Sequence, residues 1–311
     1  MIKIQDFMLN ESFLQRLSNK KKEKIFRWLT QKSPNIFFRG QDVISITPQI
    51  TGSYEIRIKQ LIDFSASQGL NDFLIDVGAN IGLISCQSGD LFKEIHCFEP
   101  NPDCFSILKV NTGISLRHSD IFLHNYGLGL ENESKTLKVP KENWGGGFIK
   151  DDTNSYTEQE LAKKEGHNIF YEKDYQSIEI TIRNALDAFK ELFDRLGASG
   201  LNRGFIKIDV EGYESLIVQA IASTLPKTFE ILLLFENLGT NSKVAGLNNL
   251  FQGRSQAFQL TRFPEKRMGR LSSILCSLRQ GGYSYQLVEF DETRKSPDIV
   301  FHIAPEMVSA I

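Results

Sequence analysis

The stretch DVGANIG at residues 76–82 combines a carboxylate with two glycines four positions apart. It follows the apolar run FLI and precedes LISCQSG, which has the pattern of a helix. Gly78 and Gly82 let the backbone approach a ligand closely, because no Cβ stands in the way. A glycine turn between a strand and a helix is suited to hold a dinucleotide, a nucleoside or a phosphate, and it also occurs as a plain connection.

Two features of this turn favour a nucleoside over a dinucleotide. The dinucleotide fingerprint GxGxxG has a middle glycine, and this chain has Asn80 in its place. Asp76 stands directly before the turn, where a carboxylate repels pyrophosphate because like charges meet at short range. A cationic ligand without phosphate, such as S-adenosylmethionine with its ammonium and sulfonium groups, suits this carboxylate.

A second carboxylate ends the next predicted strand, in the stretch FEP. Glu99 follows Gly78 by about twenty residues, the spacing at which an acidic side chain binds ribose hydroxyls. NAD and S-adenosylmethionine both carry a ribose, so Glu99 alone does not distinguish them. Together with Asp76, it predicts a cofactor site rather than an ordinary turn.

The stretch IKIDVEGYE brings three further charges together. Lys207, Asp209 and Glu211 alternate, so a strand would place them on one face, where burying all three would be costly. We therefore expect the strand to end near Asp209 and the group to open into a site, with Gly212 turning into a helix. Methyl transfer to a hydroxyl requires the oxygen to be held in line and its proton removed, and Asp209 or Lys207 is the candidate base.

A metal site is the alternative at this edge of the sheet. The apolar run ILLLF ends in Glu236 and Asn237, which follow another predicted strand. With Asp209 they could hold a hard divalent cation that acidifies the hydroxyl. The residues alone do not choose between a base and a metal.

Two other features near the predicted strand ends are ambiguous. His124 ends the third predicted strand, and a lone histidine there is usually a packed, hydrogen-bonded residue. Trp144 with Gly145–Gly147 either flanks adenine or substrate, or forms a flexible loop.

Buried strands alternate with helices from residue 73 onward, which predicts a doubly wound, mostly parallel α/β sheet. The strands are predicted at FLIDV, EIHCFEP, IFLHNYGLG, SIEITI, GFIKIDV and EILLLFE. The late runs YSYQLVEF and DIVFHIA have no helix between them and predict a hairpin at the sheet edge. Ligands in such sheets bind at the carboxyl ends of the strands, so the candidate residues should meet there.

The chain of 311 residues is long enough for one large domain with additions, or for two small ones. We predict an N-terminal helical and β extension over residues 1–50 and the main domain over 51–311. A polar, glycine-rich insertion at about 140–176 interrupts the alternation and is suited to be a lid or a substrate-facing element. The extension could supply an interface for a homo-oligomer.

Composition excludes several classes of protein. The 38 acidic and 36 basic residues nearly balance, so no charge excess indicates nucleic acid. No run approaches the ~18 apolar residues of a membrane span, and the N-terminus lacks the pattern of a signal peptide. The four cysteines show no CxxC spacing, so we expect free thiols and a soluble, cytoplasmic protein.

Together these motifs resemble the FkbM family of S-adenosylmethionine-dependent methyltransferases. The resemblance extends over roughly residues 52–240, and its specificity lies in the combination of motifs. The matching stretches are GSYE at 52–55, FLIDVGANIG at 73–82, CFEPNPDCFSILKVN at 97–111, the LD of NALDAF, and IKIDVEGYE at 206–214.

The resemblance implies a class I methyltransferase fold, with a seven-stranded, mostly parallel sheet whose last two strands form a hairpin. It implies that the cofactor is S-adenosylmethionine. It also implies that the methyl acceptor is a small molecule or glycan, methylated at a hydroxyl of a sugar or natural product. It implies catalytic roles for Asp209 and Glu211, and Lys207 joins them as the candidate base that the residues themselves indicate. The cofactor positions it implies are Glu55, Asp76, Gly78, Asn80, Glu99 and Asn125. We add Ala79, Gly82, Pro100 and Asp209 as further candidates for cofactor binding.

The metal hypothesis rests on a likeness to catechol-type O-methyltransferases, which have acidic groups at the ends of the same two strands. This chain has Glu236 where those enzymes usually have aspartate. Two other functions stay open from the sequence: a nicotinamide-dependent oxidoreductase, and a methyltransferase-like module that binds a partner without catalysis. Residues 1–50 and the 140–176 insertion have no clear counterpart in the family, and we expect them to determine the acceptor.

Overall fold

The computed structural model describes residues 52–141, 143–154, 157, 171–237, 241–264, 283–294 and 296–306, with isolated positions between 21 and 49. The predicted extension over residues 1–50 lies outside the described residues apart from those positions. The same is true of residues 158–170 within the predicted insertion. Their helices, their lid and a role in oligomerisation stay predictions.

The core is an eight-stranded sheet in which five neighbouring strands run parallel. This confirms the predicted α/β class with a mostly parallel sheet. The first three strands along the chain lie side by side toward one edge, and the next strand of this sheet lies on the other side of the first. Strand order therefore reverses beside the first strand, and α/β sheets bind ligands at such a point. From edge to edge the strands are β3 (Asp120–His124), β2 (Glu94–Phe98), β1 (Phe73–Val77), β8 (Arg203–Ile208), β9 (Glu230–Glu236), β12 (Asp298–Ile303), β10 (Ser255–Pro264) and β11 (Tyr283–Glu289).

The antiparallel end of the sheet differs from the prediction. The strand β10 was not predicted, and it lies between β11 and β12 and pairs antiparallel with both. The predicted hairpin between the two late strands therefore does not form, and the sheet has eight strands rather than seven. The sequence of β10, SQAFQLTRFP, mixes polar and apolar residues and ends in proline, so its periodicity is weak.

Helices cover both faces of the main sheet. The strand β1 shows the division, since Phe73, Ile75 and Val77 join one hydrophobic cluster and Leu74 joins the other. Of the described helices, none is long and apolar enough to cross a membrane. The α-helices in the described parts of the chain are α1 (Ile56–Ser67), α2 (Leu83–Ser88), α3 (Pro102–Ser115), α4 (Ala185–Ala198), α5 (Glu214–Thr224) and α6 (Asn241–Asn249).

Two helices begin at caps that their sequences provide. The Asn101 side chain accepts a hydrogen bond from the Asp103 N–H, and Pro102 occupies the first turn of α3. The Asn184 side chain caps α4 by accepting from Leu186 and Asp187. Helices α2 and α5, which begin at the candidate site, have no side-chain cap.

A second, four-stranded sheet is formed by strands that flank the predicted insertion and by one strand within it. The predicted third strand is split into β3 and β4 (Gly127–Gly129), and SIEITI lies in β7 (Tyr175–Asn184) of this sheet rather than in the main sheet. The strand β5 (Glu133–Pro140) was not predicted, because ESKTLKVP is mostly polar and exposed at its start. The strands lie in the order β4 (Gly127–Gly129), β7 (Tyr175–Asn184), β5 (Glu133–Pro140) and β6 (Phe148–Ile149).

Four polar side chains form a hydrogen-bonded chain along β2 and β3. His96 Nε2 lies 2.7 Å from Glu94 Oε1, and His96 Nδ1 lies 3.2 Å from His124 Nε2. The other nitrogen of His124 lies 3.3 Å from the Tyr126 hydroxyl, and its ring stacks on Phe98. Burial, with smaller contributions from neighbouring cationic groups, lowers the pKa of His124 to about 4. His124 is thus a packed, hydrogen-bonded residue.

This buried histidine makes the fold sensitive to acid. An unfolded histidine binds its proton near pH 6.5, and folded His124 binds it only near pH 4, so stability falls as the pH drops between these values. We predict a loss of at most about 3 kcal/mol from His124 over this range, at about 1.4 kcal/mol per pKa unit. Urea unfolding at several pH values should show a shallower loss in His124→Gln. The exposed control His118→Gln should keep the wild-type slope, and an unchanged slope in His124→Gln would contradict the prediction.

Candidate active site

The sequence-predicted residues meet at the carboxyl edge of the main sheet. Strands β1, β2 and β8 are direct neighbours, and they end at Val77, Phe98 and Ile208. Gly78 and Asp209 are therefore the first residues after adjacent parallel strands, as Glu99 is after β2. As predicted, the strand β8 ends just before Asp209.

The glycine turn is fitted between the ends of these strands. The N–H groups of Gly78 and Ala79 both donate to the carbonyl of Phe98, at 3.0 Å each. Gly78 has φ of 81°, and a Cβ on it would lie 1.9 Å from the carbonyl oxygen of Asp209. Only glycine fits this position, because both the backbone conformation and the space exclude a side chain.

Glu99 lies buried beside the turn. Its two carboxylate oxygens accept from the N–H groups of Asn80 and Asn101, at 2.8 Å each. Burial raises its pKa to about 7, although these two hydrogen bonds act in the opposite direction. The Asn125 side chain donates to the Glu99 carbonyl at 2.9 Å and so fixes the backbone on the other side. Binding of ribose hydroxyls by Glu99 stays a prediction.

Asn80 carries a buried oxygen atom at the centre of the turn. Its φ of 50° places it in the left-handed region, which asparagine tolerates better than most residues. Its Oδ1 atom is buried and has no hydrogen-bond partner among the described residues. A buried carbonyl oxygen without a partner is costly, so a bound ligand that donates to it would be favoured.

Lys207 lies between two carboxylates at the ends of adjacent strands. Its Nζ is 3.5 Å from Asp76 Oδ1 and 3.1 Å from Asp209 Oδ2. Burial alone would lower the pKa of Lys207, but the charges of Asp209, Asp76 and Glu55 outweigh it and hold the pKa well above its ordinary value. Lys207 is therefore protonated at neutral pH and is unsuited to be a general base.

Asp76 stabilises the end of β1, directly before the glycine turn. Its side chain is fully buried, and its Oδ2 accepts from the Ser85 hydroxyl at 2.7 Å. This links the end of β1 to the first turns of α2. Because Lys207 compensates the charge of Asp76, repulsion by Asp76 is no longer an argument against a pyrophosphate ligand.

Asp209 and Glu211 differ in access to solvent. The Asp209 side chain is 40% exposed, whereas Glu211 is nearly buried. Glu55 stands close to this group at the start of α1, with φ of 41°. Burial, followed by the charge of Asp209, raises the pKa of Glu55 to about 7. Of the predicted catalytic residues, Asp209 is the one best placed to meet a substrate.

Two clefts adjoin the turn, and both are bounded by Gly78, Asn80, Gly145, Asp209 and Glu211. We name the first the apolar cleft; its volume is about 750 Å³ with open solvent included. The second, the polar cleft, has about 810 Å³ on the same measure. The apolar cleft is further lined by Phe98, Glu99, Pro100, Leu137, Phe148 and Ile182, and the polar cleft by Tyr54, Asn143, Gly146 and Lys207.

The turn Trp144–Gly146 is a short 3₁₀ helix whose residues line both clefts. The Asn143 side chain fixes it by accepting from the Gly145 N–H at 3.2 Å. A Cβ on Gly145 would lie 2.7 Å from Asn80 Nδ2, so this turn packs directly on the glycine turn. Trp144 lines the apolar cleft, in agreement with a place beside a ligand.

The described residues give no support to the predicted metal site of Asp209, Glu236 and Asn237. Glu236 ends β9 opposite Asp298, which forms an ion pair with Arg57 at 3.1 Å. The ammonium of Lys207 already binds the Asp209 carboxylate. In the described parts of the chain, no three His, Cys, Asp or Glu side chains are grouped so that they could hold a metal ion. We therefore derive no step through a metal.

Several residues of the site were not predicted from the sequence. Ser85 holds Asp76, Asn101 holds Glu99, and Tyr126 lines the apolar cleft from the end of β3. Asn101 carried a usable signal, since Asn-Pro-Asp is typical of a helix start. Ser85 had none, because serine is common in the first turn of a helix.

Comparison with known proteins identifies a family of methyltransferases. The family described as "Methyltransferase FkbM domain" matches residues 76–279. A curated relative, the methyltransferase sdnD of Sordaria araneosa, is 25% identical over 157 residues. That match covers 49% of this chain and 61% of the relative, so the chain spans less than two thirds of that protein's length.

Solved structures with a similar arrangement include several methyltransferases of low sequence identity. The O-methyltransferase from Bacillus cereus has a TM-score of 0.37 at 8% identity, covering 96% of this chain and 94% of that one. The S-adenosylmethionine-dependent methyltransferase from Agrobacterium tumefaciens has 0.39 at 8%, covering 81% and 62%. Precorrin 8w decarboxylase from Methanobacterium thermoautotrophicum has 0.39 at 12%, covering 86% and 100%.

The buried lysine gives a first test of the site's electrostatics. Lys207→Met should lower the free energy of unfolding by about 3–5 kcal/mol, because it leaves the buried Asp76 carboxylate unpaired. Urea unfolding measures this, and adding Asp76→Asn should recover part of the loss. The exposed pair of Lys227 with Glu306 provides the control, since Lys227→Met should cost less than about 1 kcal/mol. A Lys207→Met protein as stable as the wild type would show that Asp76 does not need its partner.

Proposed function

This chain belongs to the FkbM family of methyltransferase domains, and we propose that it transfers a methyl group from S-adenosylmethionine to a hydroxyl of a sugar, glycan or natural-product acceptor. S-adenosylmethionine is the methyl donor of this class of enzymes. The observation that carries the proposal is the position of Asp209. Its partly exposed carboxylate stands where the two clefts meet, and its backbone touches Gly78 of the cofactor turn.

The described residues fit the donor. We assign the ribose hydroxyls to Glu99 and the adenine to the apolar cleft beyond Pro100, where an aromatic ring is favoured. The amino-acid end would follow the turn Gly78–Asn80 toward the polar cleft. The buried Oδ1 of Asn80 supports this placement, since it requires a donor that the described protein groups do not supply.

In the proposed reaction, an O–CH₃ bond forms as the S–CH₃ bond breaks, and the electron pair of that bond stays on sulfur. Asp209 accepts the proton that the acceptor hydroxyl loses, so the acceptor oxygen must lie within hydrogen-bond reach of its carboxylate. Lys207 binds Asp209 Oδ2 at 3.1 Å and so sets the orientation of the carboxylate. Lys207 itself holds its proton throughout.

The two competing hypotheses from the sequence have less support. Family membership argues against a nicotinamide-dependent oxidoreductase. A binding module without catalysis would be favoured by a cleft sealed by side chains, but both clefts are open and adjoin Asp209.

Replacing Asp209 tests the proposed base. Asp209→Asn should lower kcat by about 10²–10⁴-fold, since the amide cannot take the proton. Binding of S-adenosylhomocysteine, measured by calorimetry, should change by less than about threefold in Kd, a margin of roughly 0.7 kcal/mol. The assay follows tritium from the labelled donor into panels of glycans and hydroxylated natural products, with mass spectrometry of the product.

The same variant separates the alternatives. Loss of S-adenosylhomocysteine binding would show that Asp209 holds the donor's ammonium rather than the acceptor's proton. If Glu236→Gln removes activity as fully as Asp209→Asn, and added Mg²⁺ restores it, the metal hypothesis would replace the base. Labelling confined to amines would contradict hydroxyl transfer.

Donor binding should depend on pH through Glu99. Its pKa of about 7 means that the carboxylate, the stronger acceptor for ribose hydroxyls, forms as the pH rises through neutrality. We predict that S-adenosylhomocysteine binds more weakly at pH 6 than at pH 8, by up to about tenfold for one pKa unit of linkage. Calorimetry of Glu99→Gln should show weak binding with a smaller dependence on pH. Glu55→Gln is the matched control, because Glu55 titrates in the same pH range. This substitution should leave the pH dependence that comes from Glu99 unchanged.

A further inference from the structure

The loop that follows β6 is hydrogen-bonded to the segment that carries Asp209. Asn154 Nδ2 donates to the carbonyl of Ile149 and to the carbonyl of Glu211, at 2.8 Å each. Gly212 has φ of 97°, and a Cβ on it would lie 1.8 Å from Asn154 Oδ1. Gly212 therefore makes room for the Asn154 side chain as well as allowing the turn.

A second contact joins the same two segments two residues further along. The Tyr213 hydroxyl donates to Asp151 Oδ2 at 2.6 Å, and Lys135 of β5 also binds Asp151. Burial, with the carboxylate of Asp151 adding to it, raises the pKa of Tyr213 to about 12, so the hydroxyl keeps the proton that it donates. Asp151 Oδ1 in turn accepts from the Asn154 N–H at 3.1 Å, which links the two contacts.

The segment needs such support because it lies between regular elements. Strand β8 ends at Ile208 and helix α5 begins at Glu214, so the residues between them lie outside both regular elements. Within the segment the Gly212 N–H donates to the Val210 carbonyl at 2.7 Å, and the Tyr213 carbonyl accepts from the Ile217 N–H of α5 at 3.1 Å. At its start, the Asp209 N–H donates to the Val77 carbonyl at 2.9 Å. Its far end, Glu211–Tyr213, is held by the loop of the second sheet.

We propose that Asn154 and the Asp151–Tyr213 pair are positioning residues that hold the segment from Asp209 to Tyr213 in the geometry that methyl transfer requires. This role rests on the proposed function, since it acts through Asp209. A displacement of about 1 Å at a catalytic group can cost about 10²-fold in rate. The two contacts join residues that lie 57 and 62 positions apart in the sequence. They connect the second sheet to the segment of the main sheet that carries the proposed base, Asp209.

Hydrogen–deuterium exchange provides a readout that needs no acceptor. In Asn154→Ala, amides of residues 209–213 should exchange at least about tenfold faster, because about 1.4 kcal/mol of local stability corresponds to that factor. Amides of α4 should exchange as in the wild type. Glu172→Gln, which changes an exposed ion pair of the second sheet, is the control and should leave the segment unchanged.

Turnover tests whether the support acts through Asp209. With the acceptor that the tritium screen identifies, Asn154→Ala should lower kcat by about 10–100-fold with little change in KM. In an Asp209→Asn background the same substitution should lower kcat by less than about twofold, because the group that it positions is already absent. Tyr213→Phe, which keeps the ring and removes the hydroxyl, should give a smaller effect of the same kind.

Three outcomes would overturn the proposal. They are unchanged exchange of residues 209–213 in both Asn154→Ala and Tyr213→Phe, an unchanged kcat in both, or an equal loss of kcat in the wild-type and Asp209→Asn backgrounds. Failure of the proposed function would look different. In that case Asp209→Asn alone would leave turnover intact or no hydroxyl acceptor would be labelled, while the exchange result could still hold.

Discussion

The arrangement of the site depends on one buried cation between two carboxylates. Lys207 on β8 lies opposite Asp76 on β1 in the parallel register, and its ammonium reaches Asp209 at the end of its own strand. Lys207 and Asp76 would each be costly to bury alone, and together they compensate one another. The Lys207–Asp76 pair joins β8 and β1, the two neighbouring strands at which strand order reverses. The glycine turn, the start of α2 and the proposed base therefore all take their positions from it.

Desolvation at this edge explains why the carboxylates there differ in chemistry. Asp76 has Lys207 and Ser85 as partners and is fully buried, which suits a structural charge. Glu99 is buried, its carboxylate accepts from two backbone N–H groups, and burial raises its pKa to about 7. Asp209 keeps part of its side chain in solvent and one oxygen on Lys207. Each carboxylate thus serves a different task through its surroundings.

The sequence predicted the parts of the site that are local in the chain. Gly78 and Glu99 follow directly from strand ends and from spacing, and the parallel sheet then brings them together. The sequence did not predict that Lys207 is a bound cation rather than a base, because its partner Asp76 lies 131 residues away on another strand. It also did not predict β5 or β10, whose polar and apolar residues alternate weakly, so the second sheet and the order of the antiparallel end could not be derived.

The second sheet joins the two halves of the proposed chemistry. Its side chains line the apolar cleft, its turn at Gly145 packs on Asn80, and its loop at Asn154 binds Glu211. A structure that only covered the cleft would need none of the contacts with the segment of Asp209. Because the same insertion bounds the space for ligands and supports the base, a change in it would alter specificity and rate together. Acceptor choice and catalytic geometry in this chain are therefore expected to be coupled.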